Sequence, residues 1–185
     1  MAETFESKIA KKFKLDDKTW MKHANPWSVY TRTSALPILI LAIWSRIWFG
    51  WWALLFVIIS LIWIWINPRI FPEVKTTDNW ASRGVFGERV WMNRKKIPVP
   101  DHYRWMPTIL NAVQGVGLIF LIYGLWYLDF WSTLVGLILT IESKLWYVDR
   151  MVCLYEDMKH ISEYGKWEKA IEHTDLAKKN KEENR

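Results

Sequence analysis

The chain contains one cysteine, Cys153, and four histidines, at positions 23, 102, 160 and 173. A single thiol excludes a disulfide framework and any zinc or iron–sulfur site built from several cysteines. Histidines this scattered exclude the clustered histidine boxes of membrane di-iron oxidases and desaturases. Glycine is scarce too, and around Gly84 and Gly87 neither the remaining glycines nor the Lys-Ser/Thr pair of a phosphate loop is present. No Ser/His/Asp order, Cys/His pair or dinucleotide fingerprint stands in a supporting context, so no catalytic residue is expected. A cleavable signal peptide is not expected either, because the first 32 residues are dense in charge and lack an apolar core region.

Apolar residues are what the chain has in excess. They fill 51% of its 185 positions, with 15 tryptophans, while 25 Lys and Arg against 19 Asp and Glu leave a net charge of +6. The charges are sorted into blocks between long apolar runs, which excludes an ordinary soluble globule, and the aromatic content excludes a disordered chain. Ile47 to Ile66 holds 20 residues without a formal charge and Trp105 to Leu128 holds 24. At about 1.5 Å per residue, each can cross a hydrocarbon core of roughly 30 Å. Two shorter runs, Thr33 to Ser45 and Phe130 to Ile141, cross only if Arg32 and Arg46 snorkel and the last helix continues through Glu142 and Lys144. The pattern predicts an all-α, four-helix transmembrane bundle of two helical hairpins, with spans at about 29–47, 49–66, 105–128 and 130–151.

The distribution of basic residues gives an independent reading. Seven Lys and Arg precede Thr33, one lies in the first connection, eight lie between Asn67 and Arg104, none lies in the third connection, and nine follow Ile141. The positive-inside rule then places both termini and the 67–104 loop in the cytoplasm of a multi-pass cell-membrane protein. Trp48, Trp51 and Trp52 outside, with Trp63, Trp65 and Trp105 inside, fit interfacial belts. The lipid bilayer is thus the first expected partner, and nucleic acid is not one, since topology already accounts for the charge.

Residues 1–28 form a cytoplasmic basic segment. Phe5, Ile9, Phe13, Leu15 and Trp20 recur at near-helical spacing among Lys8, Lys11, Lys12 and Lys14, as in an amphipathic helix that lies on an anionic leaflet or packs on the protein's own loop. Residues 159–185 form a charged tail. The 38-residue loop 67–104 is too long for a passive connector. Within it Thr77 or Asp78 can cap a short helix that carries Arg83, Glu88 and Arg89, with Trp80, Val85 and Trp91 as apolar anchors. Asp149 and Arg150 at the end of the fourth span can join this group, making Asp78, Arg83, Glu88, Arg89, Asp149 and Arg150 a candidate polar site.

Glu142, Asp149 and Glu156 recur every seven residues, an acidic stripe on one helix. Glu142 lies about 18 Å into the fourth span, while Asn111 and Gln114 lie about 9 and 14 Å from the opposite boundary of the third, so depth suits an intramembrane cluster of the three. Such a cluster reads as a register-fixing clamp, as a ligand site, or as a proton path through a Glu whose pKa is raised by desolvation. Glu156 and His160, four apart, with His173 beyond, have a spacing that can hold a metal but arises by chance on a charged helix. No metal or other cofactor is expected.

The segments His23-Ala-Asn-Pro-Trp-Ser, Asn67-Pro-Arg-Ile-Phe-Pro, Asp78-Asn-Trp-Ala-Ser-Arg-Gly-Val-Phe-Gly-Glu-Arg-Val-Trp, Pro107-Thr-Ile-Leu-Asn-Ala and Lys144-Leu-Trp-Tyr-Val-Asp-Arg-Met resemble those of an uncharacterised family of small prokaryotic multi-pass membrane proteins, a domain of unknown function. The resemblance runs from about Trp20 to Met158 and leaves the N-terminal helix and the tail outside. It implies an integral membrane protein and brings no activity, cofactor or catalytic residue. The leading expectation is a non-enzymatic structural or accessory subunit with a membrane-protein partner or further copies of itself. The alternative is a small membrane enzyme or carrier for an anionic lipid or phosphorylated substrate, held by Arg83, Arg89 and Arg150 with Glu88, Asp149 or Glu142 as acid or base.

Overall fold

A computed structural model describes residues 17–74, 76–165 and 167. The basic helix expected over residues 5–15 and the tail beyond 167 lie outside them. The described chain is all-helical, without a strand. Its helices are α1 (Asp17–His23), α2 (Pro26–Trp44), α3 (Arg46–Phe49), α4 (Ala53–Ile70), α5 (Trp80–Met92), α6 (Met106–Tyr127) and α7 (Phe130–Met158). Two stretches are long and apolar enough to cross a membrane, Pro26–Asn67 and Asp101–Tyr127. Only 11% and 22% of their most apolar windows are buried, so most of each stretch presents its side chains outward. The helices fall into two compact units: one joins Met1–Val29, Phe71–Tyr103 and Val148–Arg185, the other Tyr30–Ile70 and Arg104–Tyr147.

The second unit is built from hairpins. The Pro26–Asn67 stretch does not run as one helix. It breaks at Ser45, whose hydroxyl donates to Ala42 O at 2.7 Å, and at Gly50, whose φ of +52° disfavours any residue with a Cβ. At the far end of the resulting α2/α4 hairpin, fully buried Asn67 donates through Nδ2 to Thr31 Oγ1 at 2.7 Å. This bond ties the start of α2 to the end of α4. Arg46 does not simply snorkel: its Nη2 donates to Leu125 O at 2.5 Å and Trp126 O at 2.7 Å, carbonyls that the end of α6 leaves unpaired. The cation also sits where the helix dipole is negative.

Helices α6 and α7 are joined by a tight turn. Leu128 adopts the left-handed conformation, φ +56°, and Asp129 N donates to Gly124 O at 2.9 Å. Asp129 then caps α7, accepting from Ser132 N at 2.7 Å, and the Ser132 side-chain and backbone hydrogen bonds hold its carboxyl below the usual carboxylate pKa. The two helices close on glycine. A Cβ on Gly117 would lie 2.9 Å from Thr140 N, one on Gly124 2.9 Å from Ser132 C, and one on Gly136 2.8 Å from Gly117 O. Gly117 faces Thr140, Leu121 faces Gly136 and Gly124 faces Thr133, an antiparallel register in which small residues let the backbones meet.

Exposure differs between the units, Trp27 apart. Among the described residues, every large hydrophobic side chain that is exposed belongs to Trp27–Ile70 or Trp105–Trp146. The first unit instead buries its large apolar side chains, with Trp20, Val74, Phe86, Val90, Met151, Leu154, Tyr155 and Tyr164 in its core.

Candidate functional site

The candidate polar residues of the 67–104 loop lie in the first unit, where α5 packs on the last turns of α7. Neither Thr77 nor Asp78 caps α5. The cap is Asn79, in extended conformation, whose side chain accepts from Ser82 N at 2.8 Å. Asp78 is turned elsewhere: its carboxylate accepts from Thr76 Oγ1 at 2.9 Å and faces Arg83. Gly84 and Gly87 set the closeness of the helices. A Cβ on Gly87 would lie 2.5 Å from the carbonyl carbon and 2.9 Å from the Cα of Met151, and one on Gly84 would meet the Val148 side chain. These two glycines therefore serve backbone contact rather than phosphate binding.

Arg83 is the hub. Its Nε donates to Thr77 O at 2.8 Å, Nη2 lies 3.7 Å from Asp78 and Nη1 lies 3.0 Å from Glu156 Oε1. That last approach is an ion pair without hydrogen-bond alignment, since Oε1 has no hydrogen-bond partner. Lys159 completes the group, 2.7 Å from Glu156 Oε2. With about a third of the Arg83, Glu156 and Lys159 side chains exposed and Asp78 83% exposed, such pairs contribute on the order of 1 kcal/mol or less each. Their effect is to fix which turn of α5 meets which turn of α7.

Asp149 receives Trp80 Nε1 at 3.3 Å and pairs with Arg150 Nη2 at 2.9 Å. Arg89 is placed differently, its guanidinium 4.3 Å from the Trp167 ring centre and 5.8 Å from that of Trp20. Glu88 is half-buried on the same helix. Thus Asp78, Arg83, Asp149 and Arg150 join one α5/α7 seam, whereas Arg89 belongs to an aromatic cluster. The three arginines proposed to hold an anion each have their own intramolecular partners.

Several contributors escape the sequence reading. Phe86 stacks between Tyr155 and Trp167, at 5.6 and 5.7 Å. Tyr103 Oη donates to Asp157 Oδ2 at 2.7 Å, with His102 Nε2 at 3.7 Å from the same oxygen. Ser82 Oγ donates to Ala24 O at 2.6 Å, and Asn25 Nδ2 to Pro72 O at 3.1 Å. The Asn-Pro and Ala-Ser-Arg-Gly elements were visible as motifs, but their partners, distant in the chain, were not. Glu156 turns to Arg83 and Lys159 rather than to His160, which is exposed, and His173 lies outside the described residues.

In the second unit the expected cluster of Asn111, Gln114 and Glu142 does not assemble. Glu142 and Asn111 are exposed, Gln114 is half-buried, and no hydrogen bond joins them. Equal depth was a sound inference from length, but rotation about the helix axis decides contact. Asn111 follows buried Leu110, whereas Glu142 precedes buried Ser143. On an antiparallel pair those two offsets point to opposite flanks of the seam.

These two sites stand against one comparison that matches. The pattern of a family described as a family of unknown function (DUF6653) matches residues 4–172. The chain belongs to that family. Because the DUF6653 match begins at residue 4 and ends at 172, the N-terminal basic segment and much of the tail are family features. The narrower extent, Trp20 to Met158, followed the conspicuous motifs and missed the charged flanks. No curated protein and no solved structure matches the chain.

Proposed function

We propose that this DUF6653 member is a multi-pass membrane protein of four spans, with both termini and the 67–104 loop in the cytoplasm, that serves as a non-enzymatic structural or accessory subunit. One observation carries the reading: among the described residues, exposed large apolar side chains are confined to Trp27–Ile70 and Trp105–Trp146, while Arg83 and Asp149 are occupied in joining α5 to α7 and Arg150 in pairing with Asp149. A surface of Leu, Ile and Trp suits lipid or another apolar helix, and the exposed Trp48, Trp51, Trp52, Trp65 and Trp105 suit the interfacial layers. Arg46, the one basic residue of the first connection, is absorbed by the end of α6, so it does not weigh against the proposed orientation.

The deciding experiment is extraction of the protein from its native membrane in a mild detergent, with particle mass and co-purifying components measured. A stoichiometric complex supports a subunit role. A monomer retaining a lipid or small anion refutes it and favours the enzyme or carrier reading. The Arg83→Ala, Glu88→Gln pair of substitutions separates the readings again. A subunit loses assembly or stability, whereas an anion-handling enzyme keeps its fold and loses ligand binding.

A further inference from the structure

Glu142 and Lys144 are both exposed on a helix whose other exposed side chains between Phe130 and Trp146 are largely apolar. In lipid a carboxylate in that position is unfavourable without a partner, and among the described residues none is supplied: neither Asn111 nor Gln114 reaches it. The two charges are two residues apart, about 3 Å in height and some 200° around α7. Glu142 precedes the buried seam residue Ser143 and Lys144 follows it, so they stand on opposite flanks of the α6/α7 hairpin. Asn111, following buried Leu110 on α6, shares the Lys144 flank. Lys144 holds its ammonium 4.7 Å over the Tyr147 ring. The hairpin thus has an acidic flank and a basic, amide-bearing flank at nearly the same level.

We infer that the partner of this hairpin is a second copy of the same chain, docked head to tail so that Glu142 of one copy meets Lys144 and Asn111 of the next. The inference rests on the proposed membrane embedding of α6 and α7. Copies inserted in one bilayer share one orientation, so rotation about the membrane normal preserves height and brings the acidic flank of each against the basic flank of its neighbour. A two-fold dimer that joined like flanks would oppose Glu142 to Glu142, or Lys144 to Lys144. The charges therefore select a heterologous interface, which closes into a ring when the rotation permits. The apolar residues beside the charges, Val135 and Trp146 on α7 with Val116 and Phe120 on α6, are exposed and lie on the Glu142 flank, where they supply contact area around the ion pair.

The test uses the full chain in membranes, with Cys153→Ser to remove the native thiol. Two tagged copies, one carrying Glu142→Cys and one Lys144→Cys, are co-expressed and treated with a short thiol crosslinker. The expected result is a mixed dimer band several-fold stronger than that from either variant alone. Charge reversal is the second readout: Glu142→Lys and Lys144→Glu each lower the detergent-extracted particle mass, and the doubly reversed chain restores it. Equal bands from the like and mixed combinations overturn the inference, as does an unchanged mass in both single reversals. A stoichiometric complex with a different protein and no mixed band overturns it too. An alkaline carbonate wash separates the two levels of failure. Release of the chain into the soluble fraction overturns the membrane reading itself, whereas retention without crosslinking overturns only the self-association.

Discussion

Gly87→Ala should be among the most damaging single-atom additions in the first unit. The new Cβ would stand 2.5 Å from the Met151 carbonyl carbon and 2.9 Å from its Cα. Carbon atoms in contact normally sit about 3.5–4.0 Å apart, and the Met151 carbonyl oxygen lies closer to the new Cβ than either carbon, so α5 and α7 must separate by more than about 1 Å. Because the obstacle is backbone, no rotamer change relieves it. Overpacking of this kind costs typically ~1–3 kcal/mol, and separation also weakens the contacts of buried Val90 and Phe86. Alanine returns about 1 kcal/mol of helix propensity over glycine. The net expectation is destabilisation by about 2 kcal/mol, a large share of a domain's total stability of ~5–15 kcal/mol. Gly84→Ala is the internal control. Its Cβ would strike a Val148 methyl group while remaining 3.5 Å from the Val148 carbonyl oxygen. Adding Val148→Ala should relieve that clash, whereas no side-chain truncation rescues Gly87→Ala. Denaturant titration in mild detergent, followed by the fluorescence change as Trp91 is exposed, measures each variant. A Gly87→Ala protein as stable as the parent refutes the close helix crossing.

Three further outcomes follow from features outside that crossing. Asn79→Ala removes the side-chain acceptor of Ser82 N and should cost about 1 kcal/mol, seen as earlier proteolysis within α5. Leu128→Gly should leave the hairpin unchanged or raise its stability by up to about 1 kcal/mol, because only glycine occupies the left-handed region without strain; a clear loss of thermal stability contradicts this. Burial raises the Tyr164 phenol above its ordinary pKa of 10.0, against the lowering effect of the Asn93 hydrogen bond. A raised native pKa means that the stabilisation is complete below pH 10 and is lost as pH climbs through the native value. Absorbance of the phenolate should therefore rise together with unfolding of the first unit, and Tyr164→Phe should shift that alkaline transition upward.

Apolar runs were the legible part of this chain. The two long uncharged stretches overlap the two that are long and apolar enough to cross a membrane, although the first of these, Pro26–Asn67, also takes in the shorter run Thr33–Ser45. Their ends were less legible: Gly50 and Asn25–Pro26 set boundaries through backbone conformation and capping rather than through hydropathy. Asp149 lies with Arg83 along the α5/α7 seam, through Trp80 and Glu156 respectively, a proximity that no linear motif announces. What pattern could not supply was phase between helices. Asn111 and Glu142 lie within about 6 Å of one another in depth and disagree in azimuth, and nothing in a linear sequence reports azimuth until the seam glycines are known. The same applies to Gly117, Gly124 and Gly136, which look incidental in the chain and become intelligible only as facing pairs. Residues such as Trp167 and Tyr164 lay in a segment read as a plain charged tail, yet they close an aromatic cluster.

The division into two units carries a consequence for biogenesis. Contacts in the hairpins link residues close along the chain: Gly124 meets Thr133, and Gly117 meets Thr140. Such low contact order lets each hairpin form soon after its second helix is synthesised. The other unit gathers three separated segments, and α5 finds Val148, Met151 and Glu156 only in the final helix. Until that helix emerges, Gly84, Gly87 and Arg83 have no surface to close on. The first unit is therefore the last to be completed, and a chain truncated after α6 would keep its exposed apolar helices while leaving the buried face of α5 uncovered to chaperones and proteases.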